Sequence, residues 1–80
     1  NQGSVYVGYR AGYDAATASN YNTFLGYQAG YEVTAGAYNI ALGQNVTVAS
    51  NTGSSQLNIG NLLYGTGVYN GSTVSSSPVS

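Results

Sequence analysis

The chain has 80 residues, one basic and two acidic side chains, and neither Cys nor His. That inventory excludes disulfide staples and the commonest metal ligands, and one Arg cannot neutralise a nucleic-acid backbone. Only 4% of residues are charged, against about 25–35% on a soluble domain's surface, so copies of the chain itself are expected to cover much of it.

Four phrases recur in chain order: Ser4-Val-Tyr-Val-Gly8, Asn22-Thr-Phe-Leu-Gly26, Asn39-Ile-Ala-Leu-Gly43 and Gln56-Leu-Asn-Ile-Gly60. Their glycines stand 18, 17 and 17 residues apart. That period is too short for a domain and suits one coil of a β-solenoid, in which each coil packs only on its neighbours. The fold class expected is all-β: a left-handed parallel β-roll of about four coils, packed as a homotrimer. Each phrase alternates with period two and reads as a short strand. Val5, Val7, Leu25, Ile40, Leu42, Leu57 and Ile59 are expected inside. The middle column of Tyr6, Phe24, Ala41 and Asn58 is expected outside. The polar column of Ser4, Asn22, Asn39 and Gln56 is also placed outside, as a hydrogen-bonded ladder along the roll.

After each glycine comes a second segment, with Ala11, Ala29, Val46 and Leu63 as its core column. Gly8, Gly26, Gly43 and Gly60 suit a positive φ or a site too crowded for a Cβ. Turn-rich stretches complete each coil, and the extra residue of the first interval belongs to the stretch Asp14 to Tyr21. The coils are bounded at about 4–21, 22–38, 39–55 and 56–65, within a roll covering 1–65. Residues 66–80 read as a partial last strand and a Ser/Gly-rich linker. Both ends of the roll should expose strand edges. The chain opens in mid-phrase, which predicts a segment of a longer protein. No signal peptide is expected within this stretch, and no apolar run reaches the about 18 residues of a membrane span.

Asn22-Thr-Phe-Leu-Gly-Tyr-Gln-Ala-Gly30 and Asn39-Ile-Ala-Leu-Gly43 resemble the head repeats of YadA-like trimeric autotransporter adhesins. They are similar too to repeats of phage-type tail fibres, which often end in a phrase like Gln56-Leu-Asn-Ile-Gly-Asn-Leu-Leu-Tyr-Gly65. The resemblance covers about residues 4–65. It implies a left-handed roll with two strands per coil, three chains about one axis, and a role in attachment outside the cell, on a cell surface or a virion tail. This chain departs from the adhesin pattern in its richness in Tyr and its longer repeat.

Without His, Cys or Lys, most general bases and covalent nucleophiles are missing, so no enzyme is expected. Asp14 and Glu32 both come six residues after their glycines and should lie on adjacent coils, about 5 Å apart. The preferred reading is two solvated turn carboxylates with Arg10, of the same or a neighbouring chain, as their compensator; a cation site is the sharper alternative. A glycosidase-like carboxylate pair comes last. Tyr9, Tyr13, Tyr27 and Tyr31 repeat in register, as do Tyr21 and Tyr38. Those rings are expected to form ladders or to pack between subunits; displayed outward, Tyr9, Tyr13, Tyr27 and Tyr31 would be a ligand surface for a cell-surface glycan or another receptor. The sequons Asn45-Val-Thr47 and Asn70-Gly-Ser72 carry little weight in a bacterial or phage fibre.

The function expected is a structural and adhesive fibre segment whose partner is itself. The alternatives are a filament that stacks solenoid ends, as in functional amyloid, and a glycan-binding module. No cofactor, nucleic acid or membrane insertion is expected.

Overall fold

The structure, a computed structural model, describes residues 3–15 and 19–68. The linker expected over 66–80 lies outside them from residue 69 on, as do the Asn70 sequon and Pro78. The chain is all-β, with one five-stranded sheet and no helix among the described residues. The strands are β1 (Val5–Val7), β2 (Thr23–Leu25), β3 (Ile40–Leu42), β4 (Gln56–Ile59) and β5 (Leu63–Thr66), ordered as in the sequence. β1 to β4 pair in parallel.

The register matches the glycine spacing. Val5 pairs with Thr23, Thr23 with Ile40, and Ile40 with Leu57. Pairing continues past the strands: the Gln28 N–H donates to the Tyr9 carbonyl, Asn45 to Tyr27, and Ser55 to Ala37. Each strand and the segment after it therefore form one rung on the rung below. The Asp14 N–H donates to the Tyr31 carbonyl as Val5 does to Asn22, in the 18-residue register, whereas by Ser19, whose hydroxyl reaches the Gly36 carbonyl, and Asn20, whose carbonyl accepts from Tyr38 as Leu25 does from Gly43, the register is 17. The extra residue of the first rung thus falls between Asp14 and Ser19, as the sequence predicted for that turn.

Gly8 and Gly26 are tight points of the stack that also lie at positive φ. Their φ values are 128° and 127°, and an added Cβ would stand 2.5 Å from the carbonyl oxygen of the glycine one rung on. Both reasons anticipated for glycine hold there.

The strand faces are inverted relative to the sequence reading. Phe24 and Ala41 are fully buried, Asn58 nearly so, and Tyr6 packs against the core. Val5, Val7, Leu25 and Ile59 are 49%, 59%, 37% and 36% exposed, and Ile40, Leu42 and Leu57 are half-buried. Period two fixes the alternation of a strand but not which side is the core. Here both sides are apolar, and the core lies on the side opposite to the one expected. It is small: Phe24, Ala29, Val33, Ala41, Val46 and Val48, with Tyr6 and Ala11 against it.

The polar column is buried too, not outside. Asn22 and Asn39 are fully buried. The Asn39 N–H donates to Asn22 Oδ1 at 2.9 Å, and the Gln56 N–H to Asn39 Oδ1 at 3.0 Å. Asn22 Nδ2 reaches Ser19 Oγ and the Gly36 carbonyl, and Asn39 Nδ2 the Gly53 carbonyl. The ladder exists, and it runs inside the stack, where each amide occupies backbone groups that water cannot reach.

The C-terminal end departs from the stack. β5 pairs antiparallel with β4, placing Leu63 opposite Ile59. Leu63 is exposed and leaves the core column expected of it, whereas Ala29 and Val46 hold theirs and Ala11 lies partly buried. The edge of β4, expected to be open, is taken by β5.

Candidate functional site

Two surfaces of the stack are candidates, and they face different chemistry. The first is the outer face of the sheet. Parallel register stacks Val5, Thr23, Ile40 and Leu57 in one column and Val7, Leu25, Leu42 and Ile59 in the next. Leu63 continues the second column onto β5, since paired residues share a face. No charged residue occurs in β1 to β5. Parallel sheets are normally covered on both faces; here the inner face is filled and the outer one is bare.

The second surface carries the tyrosines. Tyr9 stacks on Tyr27 with ring centroids 5.5 Å apart, and Tyr13 on Tyr31 at 4.9 Å and 3° between planes. Tyr9, Tyr13 and Tyr27 are exposed and Tyr31 is half-buried. The rings therefore form ladders and remain outward at once, two outcomes set against each other on sequence. Tyr21 and Tyr38 stack in the same way, while Tyr6 and Phe24 do so on the core side.

Arg10 sits at a φ of 59° with its guanidinium 5.1 Å from the centroids of both Tyr9 and Tyr13. A hydrogen bond to Tyr9 is the main cause that raises the Arg10 pKa. Within the chain the guanidinium makes cation–π contacts, and Asp14 is not among the causes of the shift. Asp14 and Glu32 are both exposed, one rung apart. No group of three or more acidic, His or Cys side chains gathers among the described residues.

Beside Glu32 lies a cleft of about 220 Å³, lined by Gln28, Tyr31, Glu32, Asn45 and Thr47. Sequence reasoning named Tyr31 and Glu32 but missed Gln28, Asn45 and Thr47. A signal was present: Arg10, Gln28 and Asn45 each stand two residues after a repeating glycine, and all three adopt a positive φ. Such corners turn their side chains away from the strands they join.

No protein-family model, curated protein or solved structure matches the chain. Among the described residues no helix is long and apolar enough to cross a membrane.

Proposed function

We propose that this chain is a β-solenoid segment of an extracellular fibre, assembled as a homotrimer, whose tyrosine side is the presented surface. The bare outer face of β1–β4 carries the reading. Its two uncharged columns are Val, Leu or Ile on every rung except for Thr23, so the surface that matches them best is another copy of the same face. A small core supports the same view, because a chain of this size normally needs partners to stay folded. The number three and the extracellular setting come from the resemblance to adhesin and tail-fibre repeats. Filament growth by end stacking is the less favoured reading, since β5 occupies the edge of β4 that a further parallel rung would need.

Sedimentation of the chain at low concentration tests the proposal. A species of three times the 8.2 kDa chain mass is expected, and Leu25→Glu with Leu42→Glu should dissociate it, with loss of the β-sheet spectrum as the released chains lose the cover they need. A compact, stable single chain would overturn it, as would open-ended fibrils in the electron microscope.

A further inference from the structure

The Tyr13–Tyr31 stack stops after two rungs. By the 17-residue offset of β2 and β3, the third position of the row belongs to Val48, which is buried in the core. Tyr13 covers one face of the Tyr31 ring. The opposite face looks toward the third rung, which supplies Asn45 and Thr47 to the cleft described above. The row thus ends in a space one rung high, walled by an aromatic ring, two amides, a carboxylate and a hydroxyl.

We infer that this cleft binds a single neutral pyranose ring, stacked on Tyr31 where the third ring of the row is missing. Spacing supports it: the ring-to-ring distance already set by the rungs is 4.9 Å, within the range for stacked rings. Size supports it as well. A volume of about 220 Å³ falls below the roughly 300–1,000 Å³ of pockets for larger ligands, and one sugar ring is enough to fill it. The polar lining suits hydroxyl groups. The side chains of Gln28 and Asn45 offer both donors and acceptors, and Glu32 accepts. Thr47 Oγ1 is buried and has no hydrogen-bond partner among the described residues, and a turn of the Thr47 side chain toward the cleft would give it a ligand hydroxyl as one. An anionic sugar is disfavoured because the one charge on the lining is Glu32. The inference rests on the tyrosine side being the presented surface, but not on the number of chains in the assembly.

The test is an amide-detected NMR titration with methyl β-D-glucopyranoside. Its equatorial hydroxyls leave C–H groups on both ring faces, ready to meet an aromatic ring. Sorbitol, with similar hydroxyls and no ring face, is the control. The glucoside should shift the amides of Gln28 to Glu32 and of Asn45 to Thr47 together, with a dissociation constant of about 1–10 mM. Sorbitol should not. Tyr31→Leu should weaken binding about tenfold or more. Asn45→Gly keeps the positive φ and removes the amide, so it should weaken binding severalfold without disturbing the fold; it carries the test if Tyr31→Leu does not fold. No localised shift by about 100 mM glucoside, an equal response to sorbitol, or unchanged affinity in the folded variants would each overturn the site. Sedimentation of the same samples separates the two proposals: a single chain that binds sinks only the trimer, and a trimer that does not bind sinks only the cleft.

Discussion

At Gly26 an added Cβ would stand 2.5 Å from the Gly43 carbonyl oxygen, whereas at Gly60 it would meet nothing within 4 Å. The two glycines close matching phrases, one in the parallel stack and one at the β4–β5 end. Gly26 is held by the rung beyond it. Gly60 has no such rung, and with a φ of 62° it opens the turn that brings β5 back along β4. The same local phrase thus yields a stacked rung or a hairpin according to the residues that come after it. In the stack, glycine is required by crowding as well as by φ; at the hairpin, by φ alone.

Substitution at these two positions should give the largest contrast. Gly26→Ala forces neighbouring rungs apart and occupies a φ of 127°, so a loss of at least about 4 kcal/mol is expected, among the severe single-residue effects. Gly60→Ala meets open space and should lose about 1–2 kcal/mol, the cost of the left-handed region for a residue with a Cβ. Thermal unfolding followed by circular dichroism reads both. Equal losses would mean that Gly60 is packed like Gly26 and that the hairpin is wrongly placed.

A smaller contrast lies between two of the buried asparagines, Asn39 and Asn58. Asn39 accepts from the Gln56 N–H and Gln56 Nε2 and donates to the Gly53 carbonyl, all within the stack. Asn58 accepts from the Asn61 N–H and donates to Asn61 Oδ1 and the Thr47 carbonyl at the turn. Asn39→Leu should cost about 1–3 kcal/mol, because buried partners are left unsatisfied. Asn58→Leu should cost less, since Asn61 is exposed and its N–H can turn to water. Denaturant midpoints rank the two. A cheaper Asn39→Leu would place the ladder in water, on the side expected from sequence.

The stack was legible in the sequence because its register is the glycine spacing, and Val5, Thr23, Ile40 and Leu57 fall in line without any tertiary information. The faces were not. Leu25 and Phe24 are both apolar, and nothing local says which one meets the core. Asn22 and Asn39 held the better clue: the residue two places before Phe24 or Ala41 shares its face, and a buried amide can serve the backbone of two rungs. The hairpin also had a trace. Leu62 falls where Arg10, Gln28 and Asn45 stand in the other phrases, and a leucine there breaks a column of positive-φ corners. The cleft was half legible, through Tyr31 and Glu32. Its remaining walls come from corner residues whose direction depends on backbone angles that composition does not reveal.

Those corners allow the finest contrast. Arg10 and Gln28 occupy the same place on successive rungs, with φ values of 59° and 56°. Glycine at either position relieves about 1–2 kcal/mol of left-handed strain and loses about 0.4–1 kcal/mol through the freer unfolded chain. These backbone contributions should be nearly equal at the two sites. The side chains differ, because the Arg10 guanidinium lies over two tyrosine rings and Gln28 makes no such contact. Exposed cation–π contacts are worth about 0.5–1 kcal/mol each. Arg10→Gly should therefore be less stable than Gln28→Gly by about 0.5–2 kcal/mol on the same grounds, with Gln28→Gly neutral to slightly stabilising. Subtracting one measured unfolding free energy from the other cancels the backbone and leaves the cation. If the two variants melt alike, Arg10 contributes nothing by lying over Tyr9 and Tyr13, and the outward tyrosine ladder stands on ring stacking alone.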